Sequence, residues 1–184
     1  MDNGLNKAQS AFVNALLQLM ADKPFDRISV SELSELAQYD RRTYYRYFQS
    51  KTDVLYLYCA SLLKEMAEDM RRETLTPHSG FLSYFTFWDR HRDFLSLLDR
   101  QGLLYFVAEK QDQLLYQNVG IVVHDDLPKQ LTQVSEFSQY AYYFTFGGLW
   151  QALVLWIRSG MKQTPEQLTK HILDSFTEMQ KLIQ

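Results

Sequence analysis

Residues 29–51 read SVSELSELAQYDRRTYYRYFQSK, and this pattern predicts two short helices, a tight turn between them and the start of a third helix. Ser29 and Glu32 have the spacing of a capping box, in which each side chain bonds a free backbone N–H of the first turn. Apolar residues then recur three and four positions apart, which predicts one buried helix face. They are Leu33, Leu36 and Ala37. The first short helix is therefore expected to end near Gln38 and Tyr39.

A second short helix is predicted after the turn, with Asp40 as its N-cap. Its first turn is polar throughout, and such side chains at a helix N-terminus can reach base edges. They are Arg41, Arg42 and Thr43. Tyr44 and Phe48 are four residues apart and suit the buried face of this helix. The residues between them offer one cation and two phenolic hydroxyls to phosphates, namely Tyr45, Arg46 and Tyr47.

Ser50 and Asp53 repeat the capping-box spacing, so a third helix is expected to begin at Lys51. From Arg41 to Lys51 there are four cations and no acid. A charged, tyrosine-rich stretch is often only a solvated helix face. The order of the three elements favours the alternative interpretation, in which this stretch is a helix-turn-helix that binds DNA.

The pattern resembles the N-terminal signature of the tetracycline-repressor (TetR) family of bacterial transcriptional regulators, from about Leu5 to Leu57. The resemblance is carried by Ala37, Arg41, Thr43, Tyr44, Tyr45, Arg46, Phe48, Ser50 and Lys51. In that family a first helix precedes the motif, and its apolar stripe here consists of Phe12, Leu16, Leu19 and Met20. The resemblance implies a homodimeric repressor that a small-molecule effector releases from a pseudo-palindromic, double-stranded DNA operator.

The resemblance also implies a role for each matching residue. Base contacts in the major groove are expected from Arg41, Arg42 and Thr43, with Ser31 as a further contact from the preceding helix. Phosphate contacts are expected from Tyr45, Tyr47, Lys51 and the helix start at Ser29, and the Arg46 cation suits phosphates as well.

The turn departs from the family pattern at three positions. Gln38 and Tyr39 stand where the family usually has Gly and a small apolar residue, and Asp40 stands where Ser or a similar cap is usual. Gln38 is expected to adopt a somewhat strained positive φ, and Asp40 places an acid near the DNA. These departures motivate an alternative function, a TetR-like adaptor or co-activator that acts through a protein partner with weak or no DNA binding.

Composition fits a DNA-binding protein with a localised contact surface. The chain has 184 residues and a net charge of −3, so DNA affinity must come from a local patch. The single cysteine, Cys59, excludes an intrachain disulfide, fits a reducing cytoplasm and is expected to be a buried structural thiol.

The N-terminus lacks the apolar core of a signal peptide. Residues 137–157 contain no charge, but polar residues interrupt them, so a buried helix is favoured over a membrane span.

The rest of the chain predicts helices and no strands. Helices are expected at 51–73, 80–91, 93–100, 102–117, 125–133, 134–158 and 165–183, with the run at 76–80 ending the first of them. The fold class is therefore all-α. A three-helix DNA-binding domain is expected at 1–50, and a larger effector-binding and dimerisation domain at 51–184.

The last two helices resemble the pair through which many family members dimerise. Gly147 and Gly148 are adjacent within the first of these helices, where each costs about 1 kcal/mol relative to Ala. Something is therefore expected to approach closely there, either a partner subunit or, as the favoured alternative, a neighbouring helix or pocket wall.

Aromatic residues of the C-terminal part are candidates for the wall of an effector cavity, as the resemblance implies. They are Tyr84, Phe85, Phe87, Trp88, Tyr105, Phe106, Tyr116, Tyr142, Tyr143, Phe146 and Trp150. For any single one of them, ordinary core is the favoured explanation, because an aromatic stripe at helical spacing needs no ligand. The dispersed histidines form no metal-ligand spacing, and His124-Asp125-Asp126 reads as a solvated loop. No nucleophile stands with a base, so neither catalysis, a metal nor a cofactor is expected.

Overall fold

The computed structural model describes residues 5–71, 76–122 and 136–183 and is all helical over these ranges, which confirms the predicted fold class. A 3₁₀ turn, η1, covers Phe25–Arg27. The α-helices are α1 (Lys7–Asp22), α2 (Val30–Ala37), α3 (Arg41–Tyr47), α4 (Lys51–Arg71), α5 (Pro77–Arg90), α6 (Arg92–Gln101), α7 (Tyr105–Val122), α8 (Glu136–Arg158) and α9 (Pro165–Ile183). None of these helices is long and apolar enough to cross a membrane.

Two predicted helix boundaries are wrong for local reasons. The run at 76–80 begins a helix, because Thr76 caps α5 and Pro77 occupies its first position. α7 begins at Tyr105, since Gly102 adopts a left-handed φ of 70° and ends α6 in the preceding turn. The expected helix at 125–133, Val134 and the His124 cluster lie outside the described residues.

The chain forms two compact units. Unit 1 comprises Met1–Glu68 and Asp93–Lys110, and unit 2 comprises Asp69–Arg92 and Gln111–Gln184. α6 and the first turns of α7 thus group with the N-terminal helices. The functional division at residue 50 stays a prediction.

An aromatic cluster forms the core beneath α2 and α3. The Phe12 ring of α1 packs edge-on against Tyr44 at 5.3 Å and Phe48 at 5.8 Å between centroids. Both partners are buried, as predicted. Leu33 is also buried, but Leu36 is 38% exposed, so its assignment to the buried face is wrong. α2 has only eight residues, and its buried positions are Leu33, Ser34 and Ala37.

Unit 2 is built around α5 packed on α9, with α8 contributing Trp156. The Phe85 and Trp156 rings meet edge-on at 6.0 Å. The turn between α8 and α9 contains left-handed Gly160 and Met161, and it is fixed because Trp156 Nε1 donates to Gln163 O at 3.1 Å. α9 then starts at Pro165 behind a Thr164 cap, as the sequence predicts.

Candidate DNA interface

The capping box at Ser29 forms as predicted and fixes the start of α2. Ser29 N donates to Glu32 Oε2 at 2.9 Å, and Glu32 N donates to Ser29 Oγ at 3.2 Å. Glu32 also pairs with Lys23 from the preceding link. The Lys23 hydrogen bond, followed by those from Ser29, lowers the pKa of Glu32 to about 2. Ser29 and Ser31 both remain exposed.

The turn between α2 and α3 is closed by Gln38 in a left-handed conformation, with φ 58° and ψ 38°. The expected positive φ is thus present in a residue that carries a Cβ. Tyr39 N donates to Ser34 O at 3.0 Å, which closes the end of α2. The chain then reaches Asp40, whose Oδ1 accepts Thr43 N–H at 2.6 Å and caps α3. Hydrogen bonds from the backbone N–H and the side chain of Thr43 lower the pKa of Asp40, so the cap is ionised.

α3 presents two chemically different faces. Tyr44 is fully buried, and burial raises the pKa of its hydroxyl to about 12. In the first turn of the same helix, Arg41 and Arg42 are exposed, and Thr43 is half-buried. A surface hollow is lined by Asp40, Arg42, Thr43, Tyr45 and Arg46. The polar first turn therefore stands on the surface while the aromatic face holds the helix in place.

Tyr45, Arg46 and Tyr47 form a cationic, hydroxyl-rich patch, and the first two of them also line this hollow. Tyr45 is 53% exposed, with its ring against Tyr44 at 5.3 Å. The Arg46 guanidinium lies 4.9 Å from the Tyr47 ring centroid. Such a group offers hydroxyl and guanidinium donors to a phosphate.

Lys51 is already engaged by the protein. Its Nζ donates to Asp26 O at 2.7 Å and to Ile28 O at 3.0 Å, and it lies 5.0 Å from the Phe25 ring centroid. A lysine ammonium has three donors, so one remains for a phosphate. The sequence did not reveal this structural role, since Asp26 precedes Lys51 by 25 residues.

The aromatic candidates for an effector cavity are divided between the units. Tyr84 and Trp88 are buried in unit 2, whereas Tyr143 is exposed and both Phe146 and Trp150 are partly exposed there. In unit 1, Tyr105 is exposed and Phe106 is buried against Phe25 and Tyr56. The side chains of Tyr116 and Tyr142 lie outside the described residues. A ligand role for all of these residues stays a prediction.

Cys59 is buried, as predicted, and burial raises the pKa of its thiol to about 12. The thiolate required for oxidation or metal binding is therefore suppressed at neutral pH. In the part of the chain that the structure describes, no cluster of histidine, cysteine and acidic side chains is arranged to hold a metal ion.

A short recognition helix with an exposed polar first turn, held on a three-helix core and followed by a helical region, defines a helix-turn-helix transcriptional regulator. Residues 12–56 match the family described as bacterial regulatory proteins, tetR family, and residues 75–178 match the transcriptional regulator C-terminal region. The chain belongs to the tetR family of transcriptional regulators. Among curated proteins, none matches this chain.

Two solved structures are similar in fold. The fatty acid degradation regulator FadR from Bacillus halodurans has a TM-score of 0.58 and 17% identity, with 91% of this chain and 93% of that chain covered. The transcriptional regulator FadR from Bacillus subtilis, solved with stearoyl-CoA, has a TM-score of 0.55 and 17% identity, with 90% and 95% covered. Both neighbours, like the family, are regulators.

Lys51→Met is expected to lower the free energy of unfolding by about 1–2 kcal/mol, because it leaves two backbone carbonyls without their charged donor. Arg46→Met is the matched control, since the Arg46 guanidinium donates only to the neighbouring Tyr47 hydroxyl within the described residues. Its effect should be close to zero. Urea unfolding of both variants measures the difference, and equal small losses would contradict a structural role for Lys51.

Proposed function

We propose that the protein is a homodimeric repressor that binds a pseudo-palindromic operator and is released from it by a small-molecule effector. The observation that carries this proposal is the exposed first turn of α3, which the burial of Tyr44 holds at the surface. We assign DNA binding to residues 1–50, and effector binding and dimerisation to residues 51–184.

The α3 geometry supports a separate role for each group of contacts. Arg41, Arg42 and Thr43 are assigned to base edges, with Ser31 approaching from α2. Arginine bonds guanine in a bidentate manner, so this set favours a G-containing half-site. Phosphates are assigned to Ser29, Tyr45, Arg46, Tyr47 and the remaining donor of Lys51. Asp40 repels phosphate, which lowers nonspecific affinity more than specific affinity.

Selection of genomic DNA fragments at near-physiological salt tests operator recognition. The wild-type chain should enrich one pseudo-palindrome with half-sites about 34 Å apart, because two copies of α3 must reach successive major grooves. Arg41→Ala/Arg42→Ala should abolish the enrichment, and Arg42→Ala alone should cost about 1–3 kcal/mol at the selected site. Lys64→Ala/Arg100→Ala removes the same charge from exposed positions on α4 and α6 and should leave the enrichment intact.

The selection also decides between the repressor and the adaptor. Asp40 has a structural reason to be an acid, since its carboxylate caps α3, so its presence does not require that DNA binding was lost. No enrichment by the wild-type chain would contradict the repressor and favour the adaptor. Enrichment that survives in the Arg41→Ala/Arg42→Ala variant would contradict the assignment of base contacts.

The exposed face of α8 supports dimerisation through α8 and α9. Tyr140, Phe144 and Leu155 are 74%, 73% and 70% exposed, and helical spacing places them on one stripe. Among the described residues, a Cβ added at Gly147 or Gly148 would meet nothing within 4 Å, which contradicts the favoured expectation that a neighbouring helix or pocket wall of this chain approaches there. The glycines instead lie on the exposed side of α8, and Phe176 of α9 is 43% exposed. A second copy is the proposed occupant of this surface.

Phe144→Glu/Leu155→Glu is expected to convert the dimer to a folded monomer, because two charges would be buried unpaired in the interface while neither side chain is buried within the chain. Tyr105→Glu, an exposed aromatic position of unit 1, is the control and should remain dimeric. Sedimentation equilibrium gives the mass of each. A wild-type monomer at micromolar concentration, or a double variant that stays dimeric, would contradict this interface.

Buried polar atoms in unit 2 support an effector site there. Thr169 Oγ1 is buried without a hydrogen-bond partner among the described residues. Trp88 Nε1 is also buried, and its polar neighbour there is the Tyr84 side chain, with ring centroids 6.5 Å apart. The Tyr84 hydroxyl donates a long hydrogen bond of 3.4 Å to Gln111 Oε1. Polar atoms that are buried without partners are rare in folded proteins. We propose an effector with a long apolar body and a polar group that these atoms bind.

Stearoyl-CoA, stearate and coenzyme A are the probes for this effector class, measured as shifts of the unfolding temperature. The probes with an acyl chain should raise the midpoint of the wild-type chain, since a ligand that binds only the folded state stabilises it. Thr169→Val should stabilise the ligand-free chain and show a smaller shift. Thr86→Val, at an exposed position of α5, should behave as wild type. No shift with any probe would contradict the proposed class.

A further inference from the structure

The link between α1 and α2 is held from a distant part of the chain. Gln101, the last residue of α6, donates from Nε2 to Met20 O at 2.8 Å and to Lys23 O at 3.0 Å. Its Oε1 accepts Phe25 N–H at 2.9 Å. One carboxamide thus makes three hydrogen bonds to the backbone of a single segment, and each of its two N–H bonds has its own carbonyl.

α1 needs these donors because of how it ends. Its C-cap, Lys23, has an extended conformation with φ −150° and ψ 162°, and the last turn contains no basic residue. The final carbonyls of a helix have no partner within the helix and require one from elsewhere. Among the described residues, Gln101 supplies that partner to Met20.

The other side of the link is fixed by α4 and α7. Lys51, at the start of α4, binds the carbonyls of Asp26 and Ile28. The Phe25 ring is buried, with its centroid 6.1 Å from that of Phe106 on α7. Ser29 then caps α2 directly after Ile28. The segment that leads into α2 and α3 is therefore held at both ends, by Gln101 and by Lys51.

The position of Gln101 is itself determined by the end of α6. Gly102 has a φ of 70°, and Leu103 N donates to Leu98 O at 2.8 Å across it. Leu98 and Leu103 are both buried, so the end of α6 is anchored by apolar contacts. A displacement of α6 would carry the carboxamide with it.

We infer that Gln101 is a positioning residue for DNA recognition, which joins α6 to the link at 23–28 and so sets the placement of α2 and α3. This inference rests on the proposed recognition of an operator. Gln101 contacts neither α2 nor α3 through any hydrogen bond of the described residues; its effect passes through Met20, Lys23 and Phe25. A displacement of α6 would therefore change the placement of α2 and α3 without a change in any DNA-contacting side chain.

Gln101→Met and Gln101→Glu test the inference. Methionine keeps the length of the side chain without its hydrogen bonds, and glutamate keeps the acceptor for Phe25 N–H but loses both donors. Both variants should lose roughly tenfold or more in operator affinity, while affinity for nonspecific DNA stays within about twofold, because every surface cation is retained. Arg100→Ala, an exposed neighbour on α6, should match the wild-type chain in both measurements.

Affinities are measured at a temperature at which each variant is folded by circular dichroism, and hydrogen exchange of the Phe25 amide is followed in parallel. Faster exchange of that amide in Gln101→Met, with operator affinity lost and nonspecific affinity kept, would support the inference. An unchanged operator affinity would overturn it. A parallel fall of both affinities would overturn it too, since the loss would then not be specific to the operator.

The failure of the proposed function would be distinguishable. A wild-type chain without operator preference overturns the repressor and the role of Gln101 in recognition. The exchange of the Phe25 amide would then still decide whether the carboxamide holds the link.

Discussion

The burial of Tyr44 against Phe12 is the contact on which the DNA-binding part depends. α3 contains seven residues, and a helix of that length is not stable alone in water. Its stability must come from packing, and Tyr44 and Phe48 provide the two rings that meet Phe12. While this aromatic face is buried in the core, Arg41 and Arg42 of the first turn remain exposed. The same aromatic contacts therefore stabilise the helix and hold it with its polar first turn at the surface.

Local capping patterns made this part of the fold predictable. The caps at Ser29 and Asp40 involve partners three residues apart, so the sequence contains all the information that their geometry requires. The hold of Gln101 on the link was not predictable, since its partners precede it by 76 to 81 residues and no periodic pattern connects them. The exposure of Leu36 was missed for a related reason. Spacing identifies an apolar face, but the length of a short helix decides how much of that face is covered.

The acid at Asp40 shows how folding and recognition impose different demands on one position. As a cap, its carboxylate satisfies an N–H of the first turn, and ionisation strengthens that bond. Near DNA, the same charge opposes the phosphates and partly offsets the cations of α3. Since the whole chain carries a net charge of −3, binding would depend on directed contacts more than on general attraction. That balance favours discrimination between sequences over tight nonspecific association.

The surface of α8 poses a different constraint, because it is unfavourable in an isolated chain. Adjacent glycines lower the stability of the helix by about 1 kcal/mol each relative to alanine, and no described side chain packs into the space that they leave. On the same helix, Phe144 and Leu155 keep most of their apolar surface in water. Contacts among the described residues explain neither feature. Close approach of a second helix would explain both, because such a crossing needs small residues at the contact and apolar residues beside it. A second copy of this chain would provide such a helix through a two-fold axis, and that symmetry is also what a pseudo-palindromic site requires.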